Sequence, residues 1–279
     1  MRNRILITGA TGVLGKAVVE SAVKAGLSIR QAVRNETKAS PNVEAVRLDY
    51  ADPTTIAPAL ADVSALVLMA PPLDATAPAL LAPVVLAAKA AHVQHVVLIS
   101  AFGVNHNEEA PLRKVERLVM DAGVPFTIVR MNFLMENFSE GFLADGIRGQ
   151  GAIHLAAGDG KTSFISARDV AAAIVTILRR PPMNRDVDLT GPMALDHAEA
   201  ATIISQAVKR PVTYHSLTEE QMLDGARAHG VPEPVVAYMG ALYAVVRAGF
   251  AAGVTNDFEL ITGRKPMTFE AFARQASWQ

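Results

Sequence analysis

The segment "ITGATGVLGKAVV", residues 7–19, decides how the chain folds. It overlaps the short apolar run "RILIT", places glycines at Gly9, Gly12 and Gly15, and continues with the spacing of a helix. A glycine loop between a strand and a helix lets backbone N–H groups approach a pyrophosphate, and the helix N-terminus adds partial positive charge. The last glycine lets the helix pack closely against the strand. The segment therefore predicts a dinucleotide-binding loop.

A phosphate-binding P-loop is the competing interpretation, because Lys16 directly follows Gly15. That motif requires glycine where the chain has Ala10, and serine or threonine where it has Ala17. Both ends of the motif fail, so the dinucleotide loop is favoured.

Short hydrophobic runs alternate with helix-like segments on the carboxyl side of this loop. The expected strands are residues 4–8, 28–33, 43–48, 65–70, 95–100 and 126–130. Their almost continuous hydrophobicity is typical of strands buried on both faces of a parallel sheet. The segments between them have apolar residues about every 3.6 positions, and Gly26 and Gly123 stand where helices commonly end. The pattern predicts an α/β fold of the Rossmann type, with a doubly wound parallel sheet.

The pattern loosens after about residue 150. We expect residues 1–150 to form the dinucleotide-binding portion and residues 151–279 a smaller lobe packed on it, within one compact unit. The stretch "GAIHLAAGDGKTSFIS" (151–166) predicts a strand pair or an extended loop around its "GDG". The other expected elements are a helix at 167–180 with Asp169 near its start, a strand and turn at 186–192, and helices at 195–210, 217–230 and 232–250.

The composition is that of an ordinary soluble globular protein. Of 279 residues, 51% are hydrophobic and 19% charged, and the net charge is −1, so nothing favours nucleic acid or an anionic membrane as a partner. The absence of cysteine excludes disulfides and suits a reducing cytoplasm. Glycines break the first residues too early for a signal peptide, and the long apolar stretch 84–100 carries Lys, Gln and His. We expect a cytoplasmic protein of undetermined oligomeric state.

The end of the second expected strand indicates which dinucleotide binds. An NAD site normally has an acidic residue there for the ribose 2′-hydroxyl, whereas this chain has Arg34, with Lys38 close behind. A guanidinium suits the 2′-phosphate of NADP through charge-assisted hydrogen bonds. Glu36 weakens the charge argument, and a solvated surface arginine is the alternative. The sequence favours NADP over NAD.

Other catalytic patterns are weak. His92 and His95 have an H-x-x-H spacing, but they flank the start of a strand and lack a nearby carboxylate, so exposed or capping histidines are favoured over a metal site. We therefore expect no metal. No G-x-S-x-G nucleophile elbow occurs in the sequence, which argues against hydrolase chemistry.

Several stretches together resemble the NmrA-like family of atypical short-chain dehydrogenases. They are "TGATGVLG", "VRNETK", "VRLDYADP", "AGVPFTIVRMNFLMENF", "SARDVAAAIVTIL" and "DLTGP". The carboxyl-terminal part, "LTEEQMLDGARAHGVPEPVVAYMGALYAVVRAGF" followed by "TNDFELITGRKPMTFEAFAR", is similar to the quinone-oxidoreductase-like branch of that family. These stretches cover most of the chain.

The resemblance implies roles for individual residues. The pyrophosphate would be contacted by Thr11, Gly12, Val13 and Leu14, and the adenosine phosphate by Arg34. Asp49 and Tyr50 would lie by the adenine, Ala70 and Pro71 by the ribose, and Ser100 and Ala101 by the nicotinamide. The nicotinamide and substrate pocket would be walled by Phe102, Asn132, Phe133, Met135, Asn137 and Phe138. Phe133, Met135 and Phe138 could instead fill the core, which is the usual fate of such a stripe. An unpartnered buried amide is costly, so the two asparagines are harder to explain that way.

The chain departs from ordinary short-chain dehydrogenases in its proton donor. Those enzymes use a Tyr-x-x-x-Lys pair, and none of the four tyrosines here has a lysine four residues later. Atypical relatives often place Lys or His at the position of Leu112, and Lys114, two residues away, is the only nearby candidate. An exposed helix lysine is its alternative interpretation.

Two functions fit the sequence. One is an NAD(P)H-dependent reductase that transfers hydride to a conjugated acceptor such as a quinone, an imine or iminium, or a dye. The other is a non-catalytic redox sensor that binds NADP(H) and regulates a protein partner. The missing tyrosine–lysine pair favours the sensor, whereas the long carboxyl-terminal part and the segment "RMNFLMENF" favour the enzyme. We favour the enzyme, because its pocket would position the acceptor.

Overall fold

The computed structural model describes residues 4–35, 40 and 42–278, so Lys38 lies outside the described residues. The strands are β1 (Arg4–Ile7), β2 (Ile29–Val33), β3 (Glu44–Arg47), β4 (Val63–Met69), β5 (His95–Ala101), β6 (Phe126–Met131), β7 (Ala152–Leu155), β8 (Asp186–Leu189) and β9 (Thr213–Ser216). Seven of them form one parallel sheet in the order β3-β2-β1-β4-β5-β6-β8. This order confirms the predicted Rossmann-type sheet, whose direction of winding reverses between β1 and β4.

Helices lie between most of the strands along the described part of the chain, and others follow the last strand. They are α1 (Val13–Lys24), α2 (Ile56–Ala59), α3 (Ala77–Ala90), α4 (Pro111–Asp121), α5 (Ala144–Gln150), α6 (Ala167–Leu178), α7 (His197–Val208), α8 (Glu219–Ala228), α9 (Glu233–Arg247), α10 (Asp257–Thr262) and α11 (Phe269–Gln275). Helices α3 and α4 pack together, as do α1 and α6. Within the described residues, no helix has both the length and the apolarity that a bilayer crossing requires.

The core around the sheet follows from its continuous hydrophobic strands. Leu6, Leu66 and Leu98 pack with residues of α2, α3 and α4 in one cluster and are fully buried. Successive side chains of a strand point to opposite faces, and Ile7 and Val97, which have the opposite parity, are fully buried too. Both faces are therefore covered, which explains the absence of polar alternation in the sequence.

The residues group into two compact units that alternate along the chain. The first unit contains residues 1–131, 167–188 and 260–263, and the second contains residues 132–166, 189–259 and 264–279. This division differs from the single boundary expected near residue 150. The physical reason is that the chain returns to the first unit, where α6 packs against α1 and β8 extends the sheet beside β6.

The second unit has its own aromatic core and a small sheet. Phe138 meets Phe164 and Phe269 edge to face, with ring centroids 5.1 and 5.2 Å apart. Strand β7 pairs in parallel with β9, which lies some 60 residues later, so of the two expectations around "GDG" the strand pair is wrong and the extended loop is observed. A Cβ at Gly160 would lie 2.2 Å from the carbonyl oxygen of Val246, so this turn packs against α9 and does not close a hairpin.

Candidate cofactor-binding site

The glycine loop connects β1 to α1, and two of its three glycines are required by the fold itself. Gly9 has a φ of +61°, a left-handed conformation that side chains rarely adopt. A Cβ at Gly15 would lie 2.0 Å from the carbonyl oxygen of Gly9. The first glycine thus makes the turn, and the third lets the helix approach the loop.

Gly12 is different, because none of the described residues around it requires a glycine there. Its φ of −78° and ψ of 172° are extended and open to any residue. A Cβ at Gly12 would lie 3.6 Å from the carbonyl oxygen of Gly9, an ordinary contact. A side chain at this position would instead fill the space in front of the amino-terminal end of α1. Glycine keeps that space open, as the close approach of a pyrophosphate requires.

The amino-terminal end of α1 suits an anion. Gly12 is the N-cap residue, no side chain caps the helix, and no acidic residue lies in its first turn. The first bond within the helix runs from the Lys16 N–H to the Gly12 carbonyl, at 2.9 Å. The N–H groups of Val13, Leu14 and Gly15 precede that bond and have no partner among the described residues. These donors and the helix dipole can hold a diphosphate.

An open cleft of about 280 Å³ joins the glycine loop to the end of β2. It is lined by Thr11, Val33, Arg34 and Asn35. The Arg34 side chain makes no ion pair with another described residue. The structure therefore places the predicted phosphate-binding guanidinium and the glycine loop on one cleft.

The remaining predicted cofactor residues also follow strands at the carboxyl edge of the sheet. Asp49 and Tyr50 follow β3, and Ala70 and Pro71 follow β4. The Tyr50 hydroxyl donates to the carbonyl oxygen of Met69 at 2.8 Å, and burial raises the pKa of this phenol to about 12. Tyr50 is thus a neutral residue that joins the ends of β3 and β4.

The end of β5 contains a buried charge cluster that the sequence analysis missed. The Ser100 hydroxyl donates to Oε1 of Glu116 at 2.7 Å. Glu116 is fully buried and also accepts from Arg113 at 2.8 Å and from Arg130 at 2.8 and 2.9 Å. Burial acts to raise the pKa of Glu116, but the hydrogen bonds from Arg130, Ser100 and Arg113 outweigh it and lower the pKa. The carboxylate is therefore ionised, and it can only accept.

One signal in the sequence points to this cluster. Arg130 lies inside the apolar strand "FTIVRM", and a buried guanidinium needs an acidic partner. Besides Glu116, it reaches Asp186 on the neighbouring β8, with 2.7 Å between Nη1 and Oδ2. The charged strand residue thus predicts a buried acid, although its identity depends on the packing of α4.

Lys114 lies on the exposed face of α4. Its ammonium pairs with Glu109 at 2.7 Å, and 48% of its side chain is exposed. Arg113 and Glu116 on the same helix are buried instead. This position matches the exposed helix lysine that the sequence left as the alternative.

The predicted pocket residues of the second unit are mostly buried. The Asn132 amide donates to the Ser163 hydroxyl at 2.7 Å and to the Ala251 carbonyl at 2.8 Å. Its oxygen accepts from the Phe133 N–H at 2.9 Å, so the buried amide has partners on both atoms. Met135 and Phe138 belong to the aromatic core. All three residues are buried, and the core-filling alternative describes Met135 and Phe138.

The other predicted pocket residues are less buried. Phe133 and Asn137 are half-buried, and the Phe133 ring lies 6.3 Å from that of Tyr243. Phe102, in the first unit, is half-buried too, and its N–H donates to the Met131 carbonyl at 2.9 Å.

The two histidines of the H-x-x-H spacing differ in burial: His92 is exposed and His95 is buried. His92 is exposed, with a φ of +55° in the turn after α3. His95 is buried, its Nε2 lies 2.9 Å from the Thr127 hydroxyl, and burial lowers its pKa to about 4. Asp169 lies in the first turn of α6, as predicted. No group of three or more metal-binding side chains occurs among the described residues.

A glycine loop between the first strand and helix of a doubly wound sheet defines the class of Rossmann-type dinucleotide-binding folds. Within this class, the NmrA-like family model matches residues 1–273, and the chain belongs to the NmrA-like family. The resemblance seen in the sequence is thereby confirmed.

Individual relatives cover almost the whole chain. An NAD(P)H azoreductase of Xenophilus azovorans is 33% identical over 279 residues, which span 97% of this chain and 96% of the relative. Quinone oxidoreductase 2 of Escherichia coli is 28% identical over 242 residues, 82% of this chain and 83% of the relative. The crystal structure of a Citrobacter sp. triphenylmethane reductase complexed with NADP(H) superposes with a TM-score of 0.84 at 26% identity, covering 98% of this chain and 100% of that chain.

Proposed function

We propose that this protein is an NAD(P)H-dependent reductase that acts on conjugated acceptors such as azo compounds, quinones and dyes. The observation that carries the proposal is the cleft lined by Thr11 and Arg34, next to a helix N-terminus that Gly12 leaves open. The azoreductase, quinone oxidoreductase and triphenylmethane reductase relatives support the same reaction class.

The residues of the first unit fit an NADP(H) molecule. The free N–H groups at the start of α1 would hold its diphosphate, and Arg34 would pair with the 2′-phosphate. Asp49 and Tyr50 would lie beside the adenine, and Ala70 and Pro71 beside the ribose. When bound, this cofactor supplies a hydride from its nicotinamide ring.

The hydrogen bonds of the site limit which acceptors can be reduced. Ser100 directs its proton to the ionised Glu116, and Tyr50 directs its proton to a backbone carbonyl. Neither residue is then free to protonate an acceptor. A quinone spreads incoming negative charge over its oxygens, and solvent can then protonate the product. An iminium becomes a neutral amine on hydride transfer and needs no proton. A simple ketone would form an alkoxide and lose the roughly 10²–10⁴-fold gain of general acid catalysis.

The alternative is a redox sensor that binds NADP(H) without turnover. The Ser100 and Tyr50 hydroxyl groups, which already donate within the protein, are as compatible with a sensor as with an enzyme. The proposal includes small molecules as ligands, which the net charge near zero supports. It also includes a cytoplasmic location, which the absence of cysteine supports.

Following NADPH absorbance with purified protein separates the two functions. The acceptor panel contains a quinone, an azo dye, a triphenylmethane dye, a cyclic iminium and an aliphatic ketone. Turnover of the conjugated acceptors, with the ketone at least a hundredfold slower, is expected. Tight NADP binding without turnover of any acceptor would reject the reductase function in favour of the sensor function.

A further inference from the structure

A buried glutamine lies in the middle of β2, the strand that ends at the cofactor cleft. Gln31 is 0% exposed, and every residue of β2 is buried. A buried amide is costly unless its oxygen and its nitrogen both find hydrogen-bond partners. An aliphatic side chain would fill the same position without that requirement. The glutamine is therefore to be explained by the groups that it binds.

The Gln31 amide binds the main chain of Ser40, in the connection between β2 and β3. The Ser40 N–H donates to Oε1 of Gln31 at 3.0 Å, and Nε2 of Gln31 donates to the Ser40 carbonyl oxygen at 3.2 Å. The side chain thus pairs with both main-chain groups of one residue, as a neighbouring strand would. These two hydrogen bonds form a clamp that holds the connection to β2 at Ser40.

The clamp shortens the connection that begins with Arg34. Strands β2 and β3 are parallel, so the chain has to return from the end of β2 at Val33 to the start of β3 at Glu44. Without the clamp, residues 34–43 would join the two strands with no earlier attachment to β2 through Gln31. With it, the chain that leaves Val33 is held again at Ser40, and a shorter loop has less conformational entropy to lose. Arg34 therefore lies between two fixed points.

The clamp and the cofactor cleft share one face of β2. Alternate side chains of a strand point to the same face, so Gln31 and Val33 are neighbours there, roughly 7 Å apart along the strand. Val33 lines the cleft together with Thr11 and Arg34. All of these residues, and Ser40, belong to the first compact unit. The clamp is thus placed directly behind the part of the cleft from which the Arg34 side chain extends.

We infer that Gln31 is a positioning residue that sets the preference for NADP(H) over NAD(H). By holding Ser40, it orders the connection before the cofactor arrives, so less entropy is lost when Arg34 pairs with the 2′-phosphate. NADH has no 2′-phosphate, and its binding does not depend on the clamp. The inference rests on the proposed function and adds a residue that selects the cofactor without touching it.

The test measures the Kd values of NADPH and NADH by fluorescence titration for wild-type protein, Gln31→Met and Gln31→Leu. Both variants keep the strand apolar and remove the clamp, and urea unfolding checks that they fold. We expect each to raise the NADPH Kd about fivefold, the worth of roughly one hydrogen bond, and to change the NADH Kd less than twofold.

Thr127→Val is the matched control. Thr127 is 0% exposed on β6, which β1, β4 and β5 separate from β2, and its hydroxyl accepts from the Met183 N–H at 3.2 Å. This variant also removes a buried polar side chain that holds a connecting segment. It should lower the stability in urea and leave both Kd values within about twofold, because its segment lies away from the cleft.

A double-mutant cycle with Arg34→Ala tests whether Gln31 acts through Arg34. If it does, adding Gln31→Met to Arg34→Ala should change the NADPH Kd less than about twofold. The full fivefold effect in that background would overturn the inference. So would an unchanged NADPH Kd in Gln31→Met, equal rises in its NADPH and NADH Kd values, or equal wild-type affinity for the two dinucleotides. Absence of turnover with every acceptor would reject the reductase function, whereas the Kd values alone decide the role of Gln31.

Discussion

Replacing Gly12 by valine tests the proposed cofactor loop, because the structure separates folding from binding at this position. The extended backbone of Gly12 accepts a β-branched residue, and the new Cβ would meet Gly9 at an ordinary 3.6 Å. The side chain would occupy the space in front of α1. We expect Gly12→Val to fold and to lose the cofactor.

The two effects differ in size. Valine is a poorer N-cap than glycine, which costs about 1 kcal/mol, and the stiffer unfolded chain returns about 0.4–1 kcal/mol. The free energy of unfolding should therefore change by about 1 kcal/mol or less. Loss of two charge-assisted hydrogen bonds to the diphosphate would cost about 3 kcal/mol or more, which is a hundredfold or greater rise in the NADPH Kd.

Fluorescence titration with NADPH gives the Kd, and urea unfolding gives the stability of the same samples. Gly15→Ala is the informative contrast, since its Cβ would lie 2.0 Å from the Gly9 carbonyl and should destabilise the fold itself. A folded Gly12→Val protein that binds NADPH as tightly as wild type would refute the position of the loop.

Three further predictions concern charge and protonation. Arg34→Asp should raise the NADPH Kd tenfold or more by titration while leaving the NADH Kd nearly unchanged, and equal wild-type affinity for both cofactors would contradict the NADP preference. Lys114→Ala should leave kcat for a quinone within twofold, because this lysine pairs at the surface with Glu109; a collapse of ketone reduction in this variant would identify a missed acid. Burial lowers the pKa of His197 from 6.5 to about 4 in the folded protein, so the unfolded chain takes up the proton first. The stabilisation is complete above about pH 6.5 and is lost as the pH falls towards 4, by roughly 3 kcal/mol at most; His197→Phe should flatten this slope in urea unfolding, whereas His92→Phe, at an exposed site, should not.

The sequence was sufficient for features that depend on local pattern. The strand runs of the main sheet are continuous and apolar because both faces are buried, and their positions agree with the structure to within about two residues. The glycine spacing gave the loop, but it did not distinguish the three glycines. Only the structure shows that Gly9 and Gly15 are required by the local backbone, whereas a Cβ at Gly12 would make no close contact.

Features that depend on distant partners were not predictable. Asn132 is satisfied by a carbonyl 119 residues later, and β7 pairs with β9 although two helices and a strand lie between them in the chain. Helix α4 looks solvated in the sequence because Arg113 and Glu116 have the spacing of an ordinary surface ion pair. Their burial depends on Ser100 and Arg130, which the sheet brings beneath them.

The charge cluster at the end of β5 connects the fold to the choice of acceptor. Glu116 is ionised and accepts from two guanidinium groups, so the Ser100 hydroxyl has to donate to it and can offer an acceptor molecule only a lone pair. Removing this carboxylate would leave two arginines without their shared buried partner, which is costly. A site whose serine is held in this way provides no general acid catalysis for the reduction of ketones. It keeps its advantage on acceptors that carry their own positive charge or delocalise negative charge, which is the property that azo compounds, quinones and cationic dyes share.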